Sequence, residues 1–246
     1  MTADPQLPRG RGRPAAPVLS AEKITAAAMV LIEDRGYGAL TMAALARGLR
    51  VSPSALYNHV AAKQDLLRWI QDHLNQRIDC SAFATEPWDV AVERWARSYR
   101  DTYAQHAPLV PVIAVAPIAG APHTVQMYEQ VASGLRGGGW PDPLIAEAIV
   151  AVESFVLGSA MDATSPADVF EVGDLAARAP VFTAAVRARG GEDPAGAAFD
   201  LGLGALIEGL RARLKAGPAQ AVSRGAPSAR EVRQGAPAGS PDRSRR

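Results

Sequence analysis

The stretch VSPSALYNHVAAKQDLL, from Val51 to Leu67, is the part of the sequence that decides the fold. It gathers serine, proline, tyrosine, asparagine, histidine and lysine in one short segment, directly after the apolar segment MAALA at residues 42–46. A surface helix ordinarily places its polar side chains toward water and its apolar stripe toward the core. A dense group of polar side chains beside a helix that has almost none indicates instead a polar partner that is not water.

Helix signals surround this stretch. Ser20, Thr41 and Ser52 each precede a run with apolar residues at helical spacing, and all three are good N-cap residues. Pro53 suits the first helical position, where its missing N–H costs nothing. Two short helices joined by the turn LRV at residues 49–51 match the helix-turn-helix pattern, and a further helix is predicted from about residue 62.

In a helix-turn-helix the second helix lies in the major groove of DNA with its N-terminal residues toward the bases. Leu56 and Val60 are expected to hold that helix to the core, and Thr41 starts a helix whose N-terminus can contact a phosphate. The alternative is that the polar residues are ordinary surface side chains. The expected groove-facing and backbone-facing residues are Ser52, Ser54, Tyr57, Asn58, His59 and Lys63.

Residues 24–67 resemble the DNA-binding domain of the tetracycline repressor (TetR) family. The most specific block consists of Leu56, Tyr57, His59, Val60, Lys63, Leu66 and Leu67. The resemblance implies that Tyr57, His59 and Lys63 contact phosphates. It assigns base reading to Ser52, Pro53, Ser54 and Asn58, with Met42 and Ala43 at the N-terminal end of helix two. The family's namesake has polar residues at the last two positions, so the operator is expected to differ.

The segment RGRGRP, Arg9 to Pro14, alternates arginine with glycine. Glycine lets a backbone lie deep in a narrow minor groove, and arginine meets the strong negative potential there. Arg9, Arg11 and Arg13 are therefore candidate DNA contacts, similar to an AT-hook core. A solubilising disordered tail is an equally weighted alternative.

Removal of residues 1–14 is expected to weaken operator binding and to flatten its dependence on salt, because fewer counterions are released from the phosphates. Gel shifts of the full-length and shortened chains over a series of salt concentrations measure both effects. If the dependence of operator affinity on salt did not change, the interpretation of this segment as a solubilising tail would be favoured.

The second half of the chain resembles the C-terminal domain of the tetracycline repressor class, over residues 86–106, 144–162 and 198–214. That resemblance implies a helical ligand-binding and dimerisation domain. The helices predicted at 141–163 and 195–215 are apolar on more than one face, which favours a four-helix dimer interface. The alternative is that both are core helices, and gel filtration separates the two interpretations.

An effector pocket is expected between the helices that start at Pro87, Pro108, His123 and Pro141. For each candidate, a purely structural role in the core stays open. Aligned without gaps, the magnesium-binding histidine of the family's namesake falls at Ile113, which cannot ligate a metal, whereas the acidic partner is present as Asp162. No metal or other cofactor is therefore expected, and the effector is expected to be apolar or aromatic. The other candidates are Trp95, Tyr99, Tyr103, His106, Met127, Val131 and Phe155.

Composition excludes several classes of protein. The net charge is +1, so any basic surface for DNA must be local. Cys80 is the single cysteine and suits a reducing cytoplasm. We expect no membrane segment, because no uninterrupted apolar run reaches about 18 residues. The sequence contains no P-loop, Rossmann glycine fingerprint or nucleophile elbow, so no enzyme is expected.

Together these patterns predict an all-α protein with a three-helix DNA-binding domain joined to a larger helical domain. The predicted segments are a disordered basic arm at 1–19, the helix-turn-helix domain at 20–79, the effector-binding and dimerisation domain at 80–216, and a disordered tail at 217–246. Residues 164–194 are expected to be partly loose. The predicted function is a ligand-responsive repressor that binds a palindromic double-stranded operator as a homodimer. A sequestering protein, and an activator or partner-responsive regulator, are the alternatives.

Overall fold

The computed structural model of the chain describes residues 19–166, 168–190 and 193–217. These residues form ten α-helices and contain no strand, which confirms the all-α fold class. The predicted arm, with Arg9, Arg11 and Arg13, lies outside the described residues apart from Leu19. The predicted tail does so apart from Gly217.

The N-terminal unit consists of four helices: α1 (Ala21–Arg35), α2 (Met42–Gly48), α3 (Pro53–Tyr57) and α4 (Lys63–Asn75). The three predicted N-caps are confirmed, because the hydroxyls of Ser20, Thr41 and Ser52 each accept a backbone N–H from the first turn. The helices enclose a small core. Its fully buried side chains include Ile24, Ala28, Leu40, Leu45, Leu56, Leu66, Ile70 and Leu74.

The C-terminal unit consists of six helices in the described part of the chain. They are α5 (Trp88–Ala104), α6 (Val110–Ile113), α7 (Pro122–Gly137), α8 (Asp142–Asp162), α9 (Pro180–Ala188) and α10 (Pro194–Ala216). Helix α5 packs along α8, and α10 packs on both. Helix α4 of the N-terminal unit packs on α5, α6 and α7, so the two units share one junction.

The expectation of a loose stretch at 164–194 is corrected by a 3₁₀ helix at Gly173–Arg178 followed by α9. Pro180 is the first residue of α9, a position where proline starts a helix rather than breaking one. Phe170 and Phe182 meet edge to face with their ring centroids 6.2 Å apart, which gives this segment a local apolar contact. The side chain of Val181 is 82% exposed, so much of the segment's apolar surface is uncovered within the protomer.

Helix α8 departs from the expectation that no segment could span a membrane. Among the helices of the described ranges, it alone is long and apolar enough to do so by length and composition, and 33% of its most apolar window is buried. The core helix of a soluble protein meets the same criterion. Helix α8 packs against α5, α7 and α10, and its outer face is uncovered within the protomer.

Candidate nucleic-acid interface and effector cavity

The turn between α2 and α3 has a defined geometry. Arg50 adopts a φ of 56°, in the left-handed region that usually selects glycine after a helix. The Val51 N–H donates to the Ala46 carbonyl at 3.0 Å, and the Arg50 N–H donates to the Arg47 carbonyl at 3.1 Å. This is the Schellman pattern. It satisfies the last carbonyls of α2 and fixes the direction in which α3 leaves.

The polar rim on and beside α3 faces outward. Leu56 and Val60 are buried as predicted, and they anchor α3 to the N-terminal core. Helix α3 ends at Tyr57, whose side chain is 50% exposed, so Asn58 and His59 lie in the following turn rather than on the helix. The exposed residues of this rim are Ser52, Pro53, Ser54, Tyr57, Asn58 and His59.

Three further candidate DNA contacts flank the rim. The exposed Thr41 uses its hydroxyl to accept the Ala44 N–H at 3.1 Å. Met42 is partly buried against the core, so only part of its side chain is available. Lys63, the first residue of α4, places its ammonium 4.1 Å from the ring centroid of Tyr37. Thr41 and Lys63 thus already make contacts that orient them.

Two basic residues of this surface were missed by the sequence interpretation. Arg47 in α2 and Arg50 in the turn are both exposed. Their charge was the available signal, since a chain of net charge +1 needs local positive charge to bind a polyanion. With Lys63 they make the helix-turn-helix surface locally basic.

A buried polar network joins the two units. The Asp72 carboxylate on α4 accepts the backbone N–H of Thr124 at 2.8 Å and its hydroxyl at 3.0 Å. Thr124 lies in the first turn of α7, so Asp72, which belongs to α4, caps that helix. Its negative charge also interacts favourably with the positive N-terminal end of the α7 dipole. Asn75 donates to the Thr124 hydroxyl at 3.0 Å and accepts from the Tyr103 hydroxyl at 2.7 Å. Asn75, Tyr103 and Thr124 are all at most 1% exposed.

The network continues toward α8. Tyr103 packs against Tyr99 with ring centroids 4.8 Å apart. The hydroxyls of Tyr99 and Tyr128 both donate to Glu153 Oε1, each at 2.6 Å. Burial is the largest cause that raises the pKa of Tyr99 and of Tyr128 far above the ordinary range, and the charge of Glu153 adds to the shift in both. Both phenols therefore stay protonated donors, and one chain of side chains runs from α4 to Glu153.

The predicted effector residues divide into two groups. In this structure most are packed in the C-terminal core, where a ligand would have to displace them. His106 is also buried, 3.6 Å from the Glu33 carboxylate, and burial lowers its pKa although Glu33 opposes the shift. Phe155 and Asp162 instead line an open groove of about 340 Å³ between α8 and α10. The core-packed residues are Trp95, Tyr99, Tyr103, Ile113, Met127 and Val131.

A cavity of about 570 Å³, open to solvent, lies between α7 and α8, in the predicted part of the fold but with different lining. The sequence patterns did not identify these lining residues, because their spacing is that of an ordinary helix surface. No group of three histidine, cysteine or carboxylate side chains is placed to hold a metal ion among the residues described. The lining includes Ile118, Val125, Tyr128, Ile145, Ile149 and Glu153.

Two family models match the chain. Residues 24–70 match the model described as bacterial regulatory proteins, tetR family. Residues 84–214 match the tetracyclin repressor-like C-terminal domain. The HTH-type transcriptional repressor DrrR1 of Streptomyces coeruleorubidus is 28% identical over 145 residues, which cover 58% of this chain and 53% of DrrR1. The chain therefore spans about half the length of that relative.

Solved structures share the fold. ActR of Streptomyces coelicolor in complex with (S)-DNPA is 26% identical, with a TM-score of 0.66 over 80% of this chain and 100% of that one. BioQ, known from Mycobacterium smegmatis, was solved with its natural double-stranded DNA operator. That complex gives 26% identity and a TM-score of 0.56 over 78% of this chain and 98% of that one.

Proposed function

The chain belongs to the TetR family of bacterial transcriptional regulators, which are DNA-binding proteins and not enzymes, and from that premise we propose that it is a ligand-released repressor. It would bind a palindromic operator as a homodimer. A small molecule bound in the C-terminal unit would favour a dimer whose two α3 helices no longer match successive major grooves, about 34 Å apart. The outward rim of α3 is the observation that carries the proposal.

The operator-binding part of the proposal rests on exposure and charge. The rim from Ser52 to His59 is uncovered, and Arg47, Arg50 and Lys63 flank it. The BioQ complex supports this, since a protein of the same fold binds an operator. Arginine and lysine would contact phosphates and set the register, while Ser54 and Asn58 would read bases.

The homodimer rests on uncovered apolar surface. Two-thirds of the most apolar window of α8 is not buried within one protomer, and Leu201 on α10 is 78% exposed. Gly158 on α8 and Gly204 on α10 have open space around them, so a partner backbone could approach closely. We propose that α8 and α10 meet their copies in a four-helix interface.

The effector part of the proposal rests on the cavities. The α7–α8 cavity, of about 570 Å³, is within the usual range for small-molecule sites. It is lined by Tyr128 and Glu153, which belong to the chain of contacts that reaches α4. ActR, with (S)-DNPA bound, supports a small-molecule role for this fold. A ligand can act only if it binds one dimer state better than the other.

A gel shift on the chain's own upstream DNA tests the proposal, with and without candidate ligands. A sequence-specific shift that a ligand reverses is the expected result. The absence of any specific shift would favour a sequestering protein. A shift accompanied by increased transcription in a purified system would favour an activator.

Ser54→Asp is expected to lower operator affinity about tenfold or more, since it sets a negative charge against the phosphates. Ser54 is the second residue of α3, where an aspartate suits the helix dipole, so the melting temperature should hold. Gln126→Asp on the exposed surface of α7 is the matched control, with the same change in charge. Equal losses in both variants, or none in Ser54→Asp, would contradict the assignment of the rim.

A further inference from the structure

The α7–α8 cavity holds a carboxylate whose negative charge has no cationic partner. Glu153 lines the cavity and is only partly exposed. Within the part of the chain that the structure describes, no lysine, arginine or histidine forms an ion pair with it. Partial burial of an unpaired charge is costly, so such a group is well suited to a ligand that compensates it.

The two tyrosines fix this carboxylate and leave half of it free. Tyr99 and Tyr128 both donate to Oε1 at 2.6 Å. No donor in the described residues reaches Oε2. Because burial keeps the pKa of both phenols high, neither hydroxyl gives up its proton or its role as donor. The oxygen Oε2 is therefore a positioned acceptor for a charged N–H group.

The remaining charges of the cavity have the same sign. Among the described residues that line the cavity, Arg136 is the only cation, and its Nε lies 2.9 Å from Asp142, so these two charges compensate each other. Glu129 and Glu153 are left, and both are acidic. The other side chains are mostly apolar, and Ile118, Val125 and Val150 lie at the exposed edge of the cavity. The cavity therefore combines an apolar surface with net negative charge.

Resting on the proposed function, we propose that the α7–α8 cavity takes an amphipathic organic cation, with an apolar or aromatic body and a protonated amine that binds Glu153. This sharpens the apolar effector expected from the sequence, since the complementary charge is now specified. The amine would bind Oε2, and the body would cover Ile145 and Ile149. Tyr99 and Tyr128 would hold the carboxylate in place.

Pyrenemethylamine and pyrenemethanol are a matched pair of probes, because they share one apolar body and differ in charge at neutral pH. Fluorescence anisotropy with the full chain measures the affinity of each. The amine is expected to bind about tenfold or more tightly than the alcohol, as a charge-assisted hydrogen bond in a partly buried site implies. Equal affinities, or binding of neither probe, would overturn the proposal.

Glu153→Gln is expected to abolish the preference for the amine while keeping an acceptor for the two tyrosines. Glu147→Gln, an exposed position on the same helix outside the cavity, is the control and should keep the preference. A preference that survives Glu153→Gln would overturn the proposal. Should Glu153→Gln fold poorly, Ala146→Trp serves instead, because Ala146 is an exposed lining residue whose enlargement should exclude both probes. Unchanged binding there would place the probes elsewhere and contradict the site.

Operator release separates this inference from the proposed function. If the amine binds through Glu153 but leaves the gel shift intact, the cation site stands and the effector role of the cavity fails. If the alcohol releases the operator as well as the amine does, ligand-released repression stands and the cation preference fails. If apolar side chains of a second copy fill the cavity, both probes lose affinity as the protein dimerises, which overturns the inference.

Discussion

Replacing Leu201 by arginine is expected to give a folded monomer whose affinity for the operator is about 100-fold lower or worse, the loss expected when two linked heads become one. Leu201 is 78% exposed in the protomer, so the substitution should not disturb the protomer core. In the proposed α8–α10 interface the same position would become buried, and removing the arginine charge from water there would be costly. Each monomer would then bind a single half-site.

Sedimentation velocity and a gel shift on the same samples measure the two effects together. Val115→Arg is the control, because Val115 is 81% exposed in the segment between α6 and α7 and lies on neither proposed interface helix. Melting temperatures of both variants should match that of the parent protein. A Leu201→Arg protein that stays dimeric would place the interface elsewhere. A monomer with full operator affinity would contradict the need for two heads.

Replacing Asn75 by leucine is expected to lower the free energy of unfolding by about 2–4 kcal/mol, a large effect for a side chain of similar size. Asn75 accepts from the Tyr103 hydroxyl and donates to the Thr124 hydroxyl, and all three side chains are buried. Leucine can do neither. The Tyr103 hydroxyl would lose its acceptor in an interior that water does not reach, and that desolvation is the main cost.

Urea denaturation measures this loss, and a double-mutant cycle identifies its origin. Tyr103→Phe removes the hydroxyl, so the Asn75→Leu substitution should cost less in the Tyr103→Phe background than in the parent protein. Asn58→Leu, on the exposed rim, should change stability by no more than about 0.5 kcal/mol. Equal costs in both backgrounds would mean that the hydrogen bond is not the cause.

The local structure of the N-terminal unit could be predicted because its determinants are local. Ser20, Thr41 and Ser52 cap helices through contacts within one turn, and Leu56 and Val60 carry the helical periodicity. The residue at which α3 ends was harder to predict from the sequence. Tyr57, Asn58 and His59 continue a pattern compatible with helix, but the chain turns there so that Val60 can enter the core.

The C-terminal unit was harder to predict, because the contacts that determine its structure join residues that are far apart in the sequence. Residues 164–194 were expected to be partly loose, whereas Pro180 starts a helix there. Aromatic residues of α5 were assigned both to the core and to a ligand, and a single sequence cannot distinguish these uses. Tyr99, for example, is buried against Glu153, which lies 54 positions further along the chain. No local period records that pairing.

The capping of α7 by Asp72 has a consequence for the exchange of DNA-reading heads between relatives. A graft that takes α1 to α4 from another chain removes the acceptor on which the first turn of α7 depends. Such a hybrid would carry an orphaned N–H at its seam unless the incoming helix also brings an acid opposite Thr124. The unit from α1 to α4 therefore cannot be exchanged independently of α7. A recombination boundary placed after α7 rather than before it would keep the donor Thr124 and the acceptor Asp72 from the same parent.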